Sequence, residues 1–174
     1  MKINKAIRGC IVLPIVALLL LNTPGCVGYR LGSSLPPDIK SIFVLTFINK
    51  CKEPLVEIEA TNATISEFQR DGTLTIARMD DADVILETTL VDITLEPLRY
   101  NRNDVAKPKE YRLIMSAVFV LKRNHSGKVI GDGQCIGEST FMYGGNLASA
   151  KRSAMPKASE DLAKRIVEKV VEVW

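Results

Sequence analysis

The sequence predicts an α+β fold, a two-layer sandwich in which a mainly antiparallel sheet carries two helices packed on one face. Three observations lead there. An apolar β-branched and aromatic run, Ser41 to Phe47, precedes one stretch of helical periodicity. Four strand-like segments then follow between Thr73 and Met142, and the chain closes on a helical stretch from Leu147. Strand, helix, four strands, helix is an order of hairpins rather than of βαβ units, and both helices are most economically placed over one face of the sheet.

Each element has its own reason. Ser41 to Phe47 (SIFVLTF) is bounded by Pro-Pro-Asp and Asn-Lys-Cys-Lys, as a central strand would be. Pro54 suits a first helical turn, Leu55, Ile58, Ile65 and Phe68 recur at helical spacing, and Asp71-Gly72 offers the stop. Thr73 to Arg78 alternates cleanly. In Val84 to Pro97 the apolar positions are first even (Val84, Leu86, Leu90) and then odd (Val91, Ile93, Leu95), which predicts a bulge or a switch of buried face near Leu90 and Val91. Tyr111 to Lys122 puts Tyr111, Leu113, Met115, Ala117, Phe119 and Leu121 on one face. Asn124 to Gly127 is a hairpin turn, and Val129 to about Met142 the next strand. The last helix has Leu162, Ile166, Val170 and Val173 as its apolar stripe, with Pro156 expected to kink or divide it.

Charge and length bound the function. The chain has 174 residues, with 23 Lys and Arg against 20 Asp and Glu, a net charge of +3. That length suits one domain with an appendage. Three of the cations, Lys2, Lys5 and Arg8, fall in the first 25 residues, which hold no acid, so the remainder is 20 against 20. A neutral body has no cation excess to match a phosphodiester backbone, and nucleic acid is not an expected partner. The basic start, the apolar run Ile11 to Leu21 and the small and polar residues before Cys26 follow the order of a secretory signal. The run is too short to cross a bilayer, for which about 20 residues are needed. With Gly25-Cys26 at its end it resembles a bacterial lipoprotein signal, in which the Cys is lipidated and begins the mature chain. The division is therefore residues 1–25 signal peptide, 26–40 lipidated tether and lead, and 41–174 one α+β domain.

Catalytic chemistry has little foothold. His125 is the sole His and falls in the predicted turn, against His-based triads and His-rich zinc sites. Asp80-Asp81-Ala82-Asp83 lacks the Gly and terminal Glu of a calcium loop and reads as a charged turn. Gly131, Gly133 and Gly137 lie within a strand pattern and open no helix, unlike a nucleotide loop. No cofactor or metal is expected, and a non-enzymatic binding or assembly module is favoured. Cys51 and Cys135 are a candidate disulfide, since an exported chain meets an oxidising compartment. Cys is also commonly buried unpaired. The segment Arg99 to Arg112 sets Arg99, Arg102, Lys107, Lys109 and Arg112 against only Asp104 and Glu110, the largest local basic excess in a predicted loop.

Gly28-Tyr29-Arg30-Leu31-Gly32, Ile42 to Asn49, Glu67-Phe68 with Asp71-Gly72-Thr73-Leu74, Ala82 to Leu86, and the helix Ser149 to Trp174 together resemble, in that order, the lipopolysaccharide-assembly lipoprotein family (LptE). Leu45 stands where relatives often have Pro, and Cys51 and Cys135 are additional. The resemblance implies an outer-membrane lipoprotein on the periplasmic face, anchored through Cys26. It further implies a plug within a β-barrel translocon (LptD) that helps deliver lipopolysaccharide to the surface. On that reading the Arg99 to Arg112 cations meet lipid A phosphates or the acidic inner wall of the barrel; a solvated loop is the alternative. Ile42 to Asn49 also resembles the first strand of CsgG-like domains, which implies instead a component of a secretion or polysaccharide-export apparatus. For either membrane lipoprotein, mass spectrometry of the mature N-terminus should find a lipid-modified Cys26; a soluble chain beginning at another residue would refute the anchor.

Overall fold

The computed structural model describes residues 35–101 and 104–172, the side chains at 101 and 104–107 excepted, so Cys26 and the signal segment lie outside the described residues. The elements are β1 (Ser41–Val44), β2 (Ile48–Asn49), α1 (Val56–Asp71), β3 (Thr75–Ile76), β4 (Val84–Asn101), β5 (Asp104–Arg123), β6 (Val129–Met142) and α2 (Leu147–Glu172). One six-stranded sheet has the order β3-β1-β4-β5-β6, with β2 also against β4. The β1, β2 and β3 pairings are parallel, and the long β4–β5 and β5–β6 ladders are antiparallel. The fold is thus the α+β sandwich that the periodicity predicts, with a mixed and mostly antiparallel sheet.

The inner face follows from alternation. Ile42 and Val44, then Val84, Leu86 and Leu90, then Leu113, Met115, Ala117, Phe119 and Leu121 are buried, as is Cys135 on β6. Against them α1 sets Val56, Ala60, Thr64 and Phe68, and α2 sets Ala158, Leu162, Ile166 and Val170. Each large side chain buried in this way stabilises by about 1.5–3 kcal/mol. The expected phase change in β4 is a bulge: the register with β5 slips between Leu90 and Asp92, and Val91 is left 46% exposed.

Several sequence expectations are corrected. The run Ser41 to Phe47 breaks after Val44, and Phe47 turns inward between β1 and β2, where its N–H donates to Thr61 Oγ1 at 3.0 Å. Thr73 to Arg78 pairs only at Thr75 and Ile76. Leu55 and Ile58 are not core: Leu55 sits at the start of α1 with φ 66, and the two are 67% and 50% exposed. The buried stripe instead runs through small residues that let α1 lie close to the sheet and to α2. Helix α2 is undivided at Pro156. Pro156 is exposed, and the backbone bond it forfeits, a loss of about 3 kcal/mol in a helix interior, is offset by the burial of Met155, Ala158, Ser159 and Leu162 around it.

Two features fix how the layers meet. At Gly137 of β6 a side chain would have no room, since a Cβ there would lie 2.3 Å from Ala158 O and 2.5 Å from Leu162 N. The missing side chain lets α2 rest on β6 backbone to backbone. At the start of β1, Asp83 Oδ2 accepts the Lys40 and Ser41 N–H groups at 2.9 Å each and the Ser41 hydroxyl at 2.7 Å. Asp38 pairs with Arg123 at 2.6 Å beside it, and Ile39 is buried, so the end of the lead segment is stitched to β4 and β5. The acidic turn is in this respect a structural anchor.

Those hydrogen bonds, the Lys40 N–H first, hold the Asp83 carboxyl below its ordinary value of 3.8. A carboxyl depressed in the folded state stabilises above its unfolded pKa, and the contribution is lost as pH falls through the folded value. Thermal melts should therefore show the wild-type chain losing more stability than Asp83→Ala below about pH 4, with the variant a few degrees less stable at neutral pH; parallel curves would refute the anchor.

Candidate functional site

The sheet outruns its helices. A strand of 20 residues such as β5 spans about 65 Å, whereas the 26 residues of α2 span about 39 Å. Because α2 is seated on β6 at Gly137, and Ser139 Oγ donates to Ala154 O at 2.8 Å, seven residues after the helix begins at Leu147, the helix layer ends about 10 Å further on, near the row Pro97, Tyr111 and Phe141. Beyond that row the β4–β5 hairpin continues without cover from either described helix.

The basic segment lies in this extension. It is not the loop expected from its charge and Pro108: the ladder runs on through Arg99↔Glu110 and Tyr100↔Pro108 to Asn101↔Asp104, with register shifts that absorb the proline. Sequence reading missed this because a charged, proline-containing stretch has no apolar periodicity to mark it as strand. The structure places the predicted residues unequally. Arg99 Nε is 3.1 Å from Glu110 Oε2, and Arg112 Nε is 3.5 Å from Glu138 Oε2. Lys109 is exposed, and its carbonyl accepts the Tyr143 N–H at 2.8 Å. Arg102 and the side chain of Lys107 lie outside the described residues. Exposed ion pairs of this kind are worth about 0–1 kcal/mol, so both arginines can exchange a carboxylate for a phosphate at little cost.

The inner face of the same extension is apolar and aromatic, which the charge pattern did not reveal. Tyr111 stacks on Phe141 with ring centroids 5.7 Å apart and 15° between planes, and meets Tyr143 edge-on at 6.3 Å. Ile93 and Leu95 continue this surface toward the core. The usable signal was parity: Tyr111 and Phe141 are register partners on the inner face. Under the surface, between the starts of α1 and α2, a cavity of about 730 Å³ is lined by Leu55, Leu95, Leu147 and Met155, with Arg152 and the ion pair of Lys151 and Glu53 at its rim. Glu59 lines it as well, so the two cations face two carboxylates around a largely apolar floor.

The cysteine expectation is corrected. Cys51 and Cys135 are free thiols, both pushed up in pKa chiefly by burial. Cys51 follows β2, and β4, β5 and β6 succeed β2 across the sheet. Three strand spacings amount to about 14 Å, twice the roughly 7 Å that a disulfide can bridge. Cys135 Sγ donates instead to Arg165 O at 3.5 Å. His125 is exposed in the turn after β5. Among the described residues there is no group of three or more metal-ligating side chains, and no helix is long and apolar enough to cross a membrane.

Known proteins give the arrangement a family. No curated protein sequence matches significantly. Solved structures share the fold at low identity. A hypothetical protein of Chlamydia trachomatis is 9% identical with a TM-score of 0.55, over 76% of this chain and 95% of its own. A Xanthomonas campestris protein is 11% identical with a TM-score of 0.54, over 79% and 87%. A minor lipoprotein of Acinetobacter baumannii is 11% identical with a TM-score of 0.50, over 76% and 92%. The lipopolysaccharide-assembly family profile, LptE, matches residues 39–171, from the buried Ile39 to the last turn of α2. Its span covers all eight elements, and the chain belongs to the LptE lipopolysaccharide-assembly family.

Proposed function

We propose that the protein is an outer-membrane lipoprotein that is held at the periplasmic face by acyl chains on Cys26 and partners an LptD-type β-barrel in moving lipopolysaccharide to the cell surface. Family membership over residues 39–171 is the observation that carries the reading. The lipoprotein order of residues 1–26 supports the anchor, and the lipoprotein among the structural neighbours is consistent with it. The protein acts as a scaffold and binder rather than as an enzyme.

The uncovered end of the hairpin supports the glycolipid role by its chemistry. Lipid A combines phosphates with acyl chains. Arg99, Lys107, Lys109 and Arg112 belong to the strands of that end, Arg102 falls between them in the sequence, and Tyr111, Phe141 and Leu95 floor it. Arg offers phosphate a two-pronged donor and Lys a mobile point charge. The acidic inner wall of a barrel would be met by the same cations. An α+β component of a CsgG-like export apparatus remains the second reading, on the strand Ile42 to Asn49.

Copurification from detergent-solubilised outer membrane tests the partnership: a large β-barrel protein should accompany the tagged chain in stoichiometric amount, and its replacement by export-channel subunits would favour the second reading. Replacing Arg99, Arg102, Lys107 and Lys109 with Ser should change stability by no more than about 0.5 kcal/mol per site, as exposed surface changes do. It should weaken lipopolysaccharide binding most at low salt, where exposed charges are least screened; unchanged binding and an intact outer membrane would leave the cations a solubilising role only.

A further inference from the structure

β6 is an outer edge of the sheet along its 14 residues, and an unpaired edge of that length is a template for another strand. Backbone groups alternate in direction along a strand. Two contacts show which residues of β6 face outward: the Glu138 N–H donates to Asp161 Oδ2 at 2.9 Å, and the Gln134 carbonyl accepts from the Lys169 ammonium. Both partners come from α2, where Asp161, Arg165 and Lys169 recur every four residues beside the buried Leu162, Ile166 and Val170. Arg165 Nε lies 3.3 Å from Asp161 Oδ2 and steadies it. Between the two closed positions, alternation turns the N–H and C=O of Ile136 outward, and its side chain is 48% exposed. A shallow groove of about 450 Å³ runs there between β6 and α2, with Ile136, Glu138, Arg165 and Lys169 on its walls.

We infer that the β6 edge is a latent pairing surface for a second copy of this chain, and that Asp161 and Lys169 hold it closed. The occupant follows from the strand's own sequence. An antiparallel pair of β6 strands about a two-fold axis at Ile136 sets Ile136 against its counterpart, Gln134 against Glu138, Asp132 against Thr140, and Ile130 against Met142. Apolar residues meet apolar ones, an amide and a hydroxyl each meet a carboxylate, and no like charges are opposed. The inner-face positions Gly131, Gly133, Cys135, Gly137 and Ser139 add no bulk that would obstruct the approach. While the α2 side chains occupy the Glu138 N–H and the Gln134 carbonyl, a second strand cannot hydrogen-bond at either end of the central register. With those side chains removed, the same two groups face solvent and are open to the hydrogen bonds of a second β6.

The test uses the detergent-solubilised full chain, with the photoreactive residue p-benzoylphenylalanine in place of Ile136. The parent should sediment as one copy and give no dimeric adduct on illumination. The D161S/K169S variant should shift to two copies as concentration rises and give a dimeric adduct through position 136. The control E160S/K164S changes charges of the same sign on the exposed side of α2 and should stay single. A folded D161S/K169S variant that remains a single copy, a parent already joined through position 136, or a control that pairs as readily overturns the inference. Hydrogen exchange on the parent decides independently of whether the variant folds: the Glu138 amide should exchange at least tenfold more slowly than that of Ile136, and equal rates overturn the closure.

Discussion

The seating of α2 on β6 is the constraint from which most of the molecule follows. At Gly137 the helix lies against the strand with no side chain between them, and the neighbouring inner-face positions Gly133, Cys135 and Ser139 are small enough to keep it there. A methyl group at Gly137 would have to displace Ala158 O and the Leu162 backbone, which are parts of a continuous helix and cannot yield singly. Leu162 and Ile166 of the helix and Met115 and Phe119 of β5 belong to the one buried core that this seating closes.

The same seating divides the sheet into a covered and an uncovered half. The covered half ends at Asp83, where one carboxylate gathers the backbone of Lys40 and Ser41 and the Asp38–Arg123 pair closes the corner. At that end the polar groups are spent on one another. The uncovered half has the opposite character: long strands without helices, cations held by exchangeable surface pairs, and aromatic rings stacked on a face that elsewhere would be core.

An edge strand beneath an overhanging helix is protected by the helix's own periphery. Asp161 and Lys169 lie next to the buried stripe of α2, close enough to reach β6 backbone groups that would otherwise face water or another chain. The free Cys135 takes part in the same contact, since its thiol turns to the Arg165 carbonyl and is kept protonated by burial. Sheet width accounts for the two unpaired cysteines: Cys51 and Cys135 belong to opposite flanks of the four-strand span, and no backbone adjustment within a packed core brings them together.

Periodicity alone determined the order of the elements apart from the two-residue β2, the inner faces of β4 and β5, the bulge after Leu90 and the stripe Leu162, Ile166 and Val170 of α2, because alternation and 3.6-residue spacing are local consequences of which side chains leave water; Val173, assigned to the same stripe, lies outside the described residues. The α1 stripe was right at Ile65 and Phe68 but not at Leu55 and Ile58, where the face turned inward carries Val56, Ala60, Thr61 and Thr64 instead. Arg99 to Arg112 read as a loop because charge hides strand; only the β4–β5 ladder, whose widest pair within the segment is Arg99↔Glu110, makes it the end of a hairpin. The aromatic cluster, the Asp83 anchor and the closure of the β6 edge were decided by tertiary structure. Each joins groups whose pairing depends on strand order and helix height, quantities fixed by three-dimensional packing and by no local pattern.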